Sequence, residues 1–220
     1  MKRLDDTRGQ CDPDTLVQLS MTDFGGMIQP LQIESEFKQL VRRVAGLRPR
    51  CIVEIGTARG GTLFALTRVA ADDAIIISVD LPGGVFGGGY PAWKRLVYQR
   101  FASPGQTMHL LRADSHAFET FHQVRQLLGG REVDVLFIDG DHTYAGAKHD
   151  FDQYKSLVRS GGLIALHDIA ENRWDQSVQV DRLWSELKLR GEFESVEEFV
   201  ESFQQGRAGV GVGVVGRRAA

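Results

Sequence analysis

Long apolar runs are missing from this 220-residue chain, and so are a cysteine framework and an excess of positive charge. No stretch approaches the roughly 20 apolar residues that span a bilayer. The opening Met1-Lys-Arg-Leu-Asp-Asp6 has no apolar segment behind it, so no signal peptide is read and no membrane partner is expected. Lys and Arg number 26 against 29 Asp and Glu, a net charge of −3. That balance gives no electrostatic reason to expect nucleic acid. Only Cys11 and Cys51 are present, in neither metal-binding nor redox spacing. Reduced thiols in a cytoplasmic protein are the simplest reading.

Glycine is the opposite case. Its 25 residues exceed the average share of roughly 7%, which asks for tight turns or close backbone approach to a ligand. The length fits one domain at roughly 100–200 residues each. Residues 1–33 read as a polar arm with a short helix near Thr15–Leu19, and residues 34–220 as the domain proper. Phe37, Leu40, Val41 and Val44 fall on one helical face, closed near Gly46. The run Cys51–Gly56 then reads as a strand opened by Pro49.

From there the pattern repeats. Helices over 60–71, 91–102, 116–128 and 144–159 alternate with strands over 74–80, 107–113, 133–139 and 162–168. Such alternation implies right-handed crossovers and a parallel sheet. The near-continuous apolar runs fit strands covered on both faces. A helix over 177–189 follows. Phe193, Val196, Phe199 and Phe203 fit either a strand or a helix, and the alternating run Gly209–Val215 fits an antiparallel strand closing the sheet edge. Arg217 and Arg218 read as a solvated end.

In an open α/β sheet, ligands bind beyond the carboxyl ends of the strands where strand order reverses. Those ends carry Glu54-Ile-Gly56-Thr-Ala-Arg-Gly60-Gly61-Thr62, then Asp80, Asp114-Ser115, Asp139-Gly-Asp141-His142 and His167-Asp168. Each alone has a bland explanation: a packing glycine, a helix cap, a half-buried histidine. Five consecutive strand ends bearing acids or a glycine turn are not explained by stability. Ala58 stands where a dinucleotide fingerprint needs its second glycine, and Arg59-Gly-Gly-Thr62 is not the ending of a phosphate loop.

The segment Val53-Glu-Ile-Gly-Thr-Ala-Arg-Gly-Gly61 resembles the first motif of class I S-adenosylmethionine-dependent methyltransferases, with Ala58 at that motif's middle glycine. The resemblance covers about residues 34–216. It implies a Rossmann-like, doubly wound α/β sheet of about seven strands, mostly parallel with an antiparallel C-terminal strand. Asp139-Gly-Asp-His-Thr-Tyr144, Gly161–Asp168 and Asp80–Pro91 are similar to the small-molecule O-methyltransferase branch that includes macrolide-sugar O-methyltransferases and cephalosporin-hydroxylase-like proteins.

Carried over by position, the resemblance implies that Glu54, Gly56, Thr57 and Gly60, with Gly61 beside them, hold the methionine part of S-adenosyl-L-methionine. It implies that Asp80 binds the ribose, that Asp114 and Ser115 border the adenine, and that Asp139 lies nearest the sulfonium. It implies a divalent cation (Mg or Mn) on Asp139, His167 and Asp168. The imidazole at 167 fits manganese better than magnesium, which prefers oxygen donors.

Methyl transfer from a sulfonium is an in-line displacement that needs orientation and a deprotonated acceptor. His142 is the candidate base, with His167 and Lys148 as substitutes; its structural alternative is to order the loop before the helix that Thr143 caps. The glycine-rich stretch Gly83–Gly89, with Phe86, Tyr90 and Trp93 beside it, reads as a lid. Phe24, Met27 and Ile28 of the arm either complete a pocket or join subunits of a homo-oligomer. The expected reaction is methyl transfer to a hydroxyl of a small molecule. The rival readings are an accessory protein that retains the fold, and a nicotinamide oxidoreductase.

Overall fold

A computed structural model describes residues 12–84, 86, 88–201 and 211–218. Seven strands form one sheet in the order β3-β2-β1-β4-β5-β7-β6. They are β1 (Cys51–Ile55), β2 (Ile75–Val79), β3 (Thr107–Leu111), β4 (Val133–Ile138), β5 (Val158–His167), β6 (Phe193–Phe199) and β7 (Val212–Arg217). The first five are parallel to one another, and β7 runs antiparallel to both β5 and β6. The helices are α1 (Pro13–Thr22), α2 (Glu34–Leu47), α3 (Gly61–Val69), α4 (Lys94–Tyr98), α5 (Phe118–Leu128), α6 (Tyr144–Tyr154) and α7 (Val180–Arg190).

The alternation of a strand sends successive side chains to opposite faces, and β1 shows it. Ile52 joins an apolar layer with Leu16, Phe37, Leu40 and Phe64 of α1, α2 and α3, while Val53 and Ile55 join one with Val124, Phe151 and Leu183 of α5, α6 and α7. Both faces are covered, which is why all five residues of β1 are buried.

Several expectations need correction. The arm is part of the fold: α1 begins at Pro13 behind the Asp12 cap and buries Leu16 and Val17 completely. The expected helix over 91–102 is the short α4 followed by a 3-10 turn, Gln99–Phe101. The helix expected to 159 stops at Tyr154, and β5 starts at Val158 rather than at 162. The last strand does not close the sheet. It lies between β5 and β6, paired antiparallel with both, and its Gly213 leaves the room that the Trp184 indole fills. The edge is β6, whose exposed Glu194 and Glu198 discourage further pairing. The alternating run's Gly209 and Val210, with Phe203 and Cys11, fall outside the described residues; Cys51 is buried and free. Glu36, fully buried on α2, accepts from the backbone N–H of Glu201 at 2.8 Å and of Gly211 at 3.0 Å. It thereby ties both strand ends to the helix.

Strand order reverses between β1 and β4, and two glycines shape that point. Gly56 has φ +87°, and a Cβ there would lie 1.9 Å from the Asp139 carbonyl oxygen. Gly61 opens α3 directly under the arm, where a Cβ would lie 2.3 Å from the Ile28 carbonyl and 2.5 Å from Pro30 Cδ. Gly61→Ala is therefore expected to lift residues 28–30 off α3 and to cost about 1–3 kcal/mol, lowering Tm by ~5 °C in calorimetry. An unchanged Tm would mean that the arm is not seated on this helix.

Candidate active site

A cavity of about 360 Å³ opens at the carboxyl ends of the five parallel strands. It is within the usual size of a small-molecule site. Gly56 and Ala58 line it after β1, Asp80 after β2, Asp114, Ser115 and His116 after β3, Asp139 to His142 after β4, and His167 and Asp168 after β5. Every strand end singled out in the sequence reaches one space. Leu31, Leu81, Phe86 and Val178 add an apolar rim.

Four of the expected cofactor contacts are not part of this wall. Gly61 packs against the arm, and a Cβ on Gly60 would lie 2.6 Å from the Tyr98 ring. Thr57 is buried, its hydroxyl against that of Ser78. Glu54 is fully buried behind the wall, with neither carboxylate oxygen hydrogen-bonded. Burial, reinforced by Asp80 and Asp139, pushes its carboxyl well above the usual range. Asp80 reaches the cavity, but its carboxylate already accepts from the backbone N–H of Gly89 at 3.0 Å and of Tyr90 at 3.1 Å. A carboxylate offers about four acceptor positions, so room for a ribose hydroxyl remains. Burial outweighs these bonds and raises its pKa. Ala58 sits at φ +44°, in the left-handed region. That conformation explains why a glycine suits this position, and alanine meets it at a cost of about 1–2 kcal/mol.

The deep end is a cluster of two carboxylates and two imidazoles. His142 Nδ1 lies 2.8 Å from Asp168 Oδ2 and its Nε2 3.4 Å from Asp139 Oδ1. His167 Nδ1 lies 3.1 Å from Asp139 Oδ1 and 3.4 Å from Asp168 Oδ2, yet neither of its nitrogens makes a directed hydrogen bond. Asp168 is held at φ +58°, a conformation that an aspartate keeps only where its surroundings impose it. Burial opposes charge on all four groups, and their mutual attraction overrides it. His142 is pushed up to about 10 and His167 well above the histidine range, while Asp139 and Asp168 are held below the carboxylate range.

The loops supply what sequence reasoning did not find. Gln32, 7% exposed, donates from Nε2 to Asp139 Oδ2 at 2.9 Å and accepts from the Thr62 hydroxyl at 3.1 Å. The arm thus reaches the site through Gln32 and Leu31, whereas Phe24 packs on Phe64 and Ile28 is buried. A polar residue in an irregular segment carries no periodic signal, so nothing in the sequence marks it. Of the expected lid, Phe86 stacks on His142 with ring centroids 4.8 Å apart. Tyr90 packs against Tyr98, and Trp93 is exposed. Lys148 is not at the site; it pairs with Asp152 and Glu186 on the outer side of α6. Thr143 caps α6 by accepting from Gly146 N–H at 3.0 Å.

Among the described residues, Asp139, His142 and Asp168 present donor atoms within 4.8 Å of one another. His142 meets Asp168 through Nδ1 and Asp139 through Nε2, so one nitrogen and the two carboxylates together define the candidate cation position. Two carboxylates with an imidazole favour manganese, iron or zinc over magnesium. The expected set named His167 in place of His142; both rings face the same two oxygens.

Residues 53–169 match a protein-family model described as a methyltransferase domain. The chain belongs to that methyltransferase family. Its fold is that of an O-methyltransferase from Bacillus cereus in complex with SAH, at TM-score 0.61 and 16% identity over 98% of this chain and 96% of that one. It is also that of the O-methyltransferase TomG from Streptomyces achromogenes, involved in tomaymycin synthesis and in complex with SAM, at 0.59 and 15% identity over 96% and 92%. Cofactor-bound Rv0187 from MTB is similar at 0.60 and 18% identity over 97% and 100%. Uncharacterized protein R132 of Acanthamoeba polyphaga mimivirus is 32% identical over 126 residues, 57% of this chain. Uncharacterized protein y4gI of Sinorhizobium fredii is 30% identical over 147 residues, 66% of this chain. This methyltransferase-family chain spans 54% and 16% of the lengths of those two relatives. No described helix is long and apolar enough to cross a membrane.

Two outcomes follow from the cluster. Gln32→Ala strands the Thr62 hydroxyl and one oxygen of Asp139, so denaturant unfolding should show a loss of about 1–3 kcal/mol. In chelator-treated protein the His142 ring should titrate near 10 by NMR. A histidine with a raised pKa contributes stability that is full below its unfolded value of about 6.5 and is lost as pH rises through the folded value. Stability should therefore fall between pH about 6.5 and about 10, and His142→Asn should flatten that fall.

Proposed function

We propose that this chain transfers the methyl group of S-adenosylmethionine to a hydroxyl of a small molecule. The observation that carries this reading is the cavity at the reversal point of the sheet, with Asp80 and Asp114 toward one end and the Asp139–Asp168 cluster at the other. The O-methyltransferase neighbours support it. The same reading puts the enzyme in the cytoplasm, with Cys51 reduced.

The chain's own part is orientation, exclusion of water and removal of one proton. The turn at Gly56 brings backbone close to the bound cofactor. Phe86, Leu31 and Val178 dry the rim, which strengthens every charge interaction inside. A divalent cation held by Asp139 and Asp168 with one imidazole would supply Lewis acidity, lowering the pKa of the acceptor hydroxyl.

His142 is the proton acceptor in this proposal, under a condition. Held by both carboxylates it is an imidazolium and has no lone pair to offer. When the charge of Asp139 and Asp168 is met otherwise, its grip on the proton weakens and it becomes a base near neutral pH. His167, 5% exposed, is too enclosed to meet a substrate and is the imidazole that would hold the cation with the two carboxylates, which leaves His142 free as the base.

The test is calorimetric titration with S-adenosylhomocysteine, with and without manganese. Affinity on the order of 1 µM is expected. Manganese should bind more tightly at pH 8 than at pH 6, because metal and proton compete for the imidazole. Asp168→Ala should lose manganese and keep S-adenosylhomocysteine, whereas Asp139→Ala should impair both. Folded protein that takes up no S-adenosylhomocysteine would sink the proposal.

A further inference from the structure

The arm ends in a segment whose side chains alternate. Ile28, Pro30 and Gln32 are buried, while Met27, Gln29 and Leu31 between them are exposed. Contacts along its length seat it on the domain. Lys94 Nζ of α4 donates to the Met27 carbonyl at 2.8 Å. The Ile28 carbonyl and Pro30 lie against Gly61, at the start of α3. Gln32 is the last of these contacts and the one that reaches a carboxylate of the cluster.

Chemistry fixes how the Gln32 amide is turned. A carboxylate only accepts, so the amide must present its N–H side to Asp139. A hydroxyl donates or accepts as required, so Thr62 donates to the amide oxygen. The side chain is thereby held at both ends of its amide, between α3 and the end of β4. Leu31 lines the cavity and Gln32 does not, so Gln32 acts on the site through Asp139.

The two oxygens of Asp139 are given different tasks. Oδ1 faces both imidazoles, His167 Nδ1 at 3.1 Å and His142 Nε2 at 3.4 Å. Oδ2 accepts from Gln32 Nε2 at 2.9 Å. A carboxylate free to turn about its last bond can offer a cation either oxygen or both. With Oδ2 held, only Oδ1 is offered.

We propose that Gln32 is a positioning residue that presents Asp139 Oδ1 to a divalent cation and couples the seating of residues 27–32 to that ion. This role rests on the proposed cation at Asp139 and Asp168. Holding the ligand in place beforehand removes an ordering cost from ion binding. Groups that orient a ligand in this way are commonly worth about 10–100-fold in metal affinity. The coupling is reciprocal: whatever the seated arm adds to ion affinity, the ion adds to the seating of the arm. Leu31, next to Gln32, is part of the cavity wall, so the same event would complete that wall.

The experiment pairs manganese calorimetry with hydrogen exchange of the backbone N–H groups in residues 27–33, in the unaltered protein, Gln32→Met and Gly61→Ala. Gln32→Met keeps the length of the side chain and loses the donor. Gly61→Ala alters neither Asp139 nor any group facing it, and acts by lifting the arm. Both should bind manganese about tenfold less tightly. Manganese should slow exchange in residues 27–33 of the unaltered protein by a similar factor, and have no such effect in Gln32→Met. A residue that merely fills space would leave this protection unchanged. The role falls if either folded variant binds manganese as the unaltered protein does, or if manganese leaves exchange in residues 27–33 of the unaltered protein as it was. If the unaltered protein, shown to be folded, takes up no manganese, the cation reading falls and this role with it.

Discussion

Two carboxylates enclosed within a few ångströms of each other cannot both stay ionised without compensation. In this protein Asp139 and Asp168 are delivered by adjacent parallel strands to that situation, and two imidazoles supply the compensating charge. Much of the local structure follows from it. Asp168 accepts a left-handed backbone to aim its oxygen inward. Gln32 crosses from the arm to occupy the oxygen of Asp139 that the imidazoles leave free. Phe86 stacks on the His142 ring at the edge of the cluster.

The cluster gives the metal-free protein and the metal-loaded protein different protonation states. Where the proposed cation binds, it would meet the charge that protons balance in the metal-free protein, so one site would serve both as metal centre and as proton store. An active-site histidine with a strongly raised pKa would ordinarily argue against a base. Here the carboxylates that raise it are the same groups a cation would neutralise. The proposed base and the proposed metal ligands are therefore one electrostatic unit, and neither role can be assigned from the other's absence.

The parallel sheet was legible because apolar runs alternate with helical periods, and the strand ends because acids cluster where strands stop. Val133–Asp139 and Leu163–Asp168 show both signals at once. What stayed hidden has physical causes. The position of β7 depends on pairing with strands far away in sequence, which alternation cannot report. Gln32 lies in a segment without period, fixed by the packing of Ile28 and Pro30 on Gly61 and by its own bonds to Asp139 and Thr62. Gly60 and Gly61 look like cofactor glycines, but close contact with a tyrosine ring and with a backbone carbonyl asks for the same absent side chain.

The strand that arrives last in the described chain does not sit on the outside. Residues 212–217 fill the slot between β5 and β6. Until they leave the ribosome, β5 has an unpaired side and β6 has nothing to pair with. The N-terminal part of the sheet, β3 to β5, can assemble during synthesis, while His167 waits for Val212 as its register partner. Completion of this end of the sheet thus waits for residues 212–217. A ribosome-bound nascent form lacking this segment would expose an open strand edge next to two half-assembled acidic residues, the kind of surface that chaperones retain.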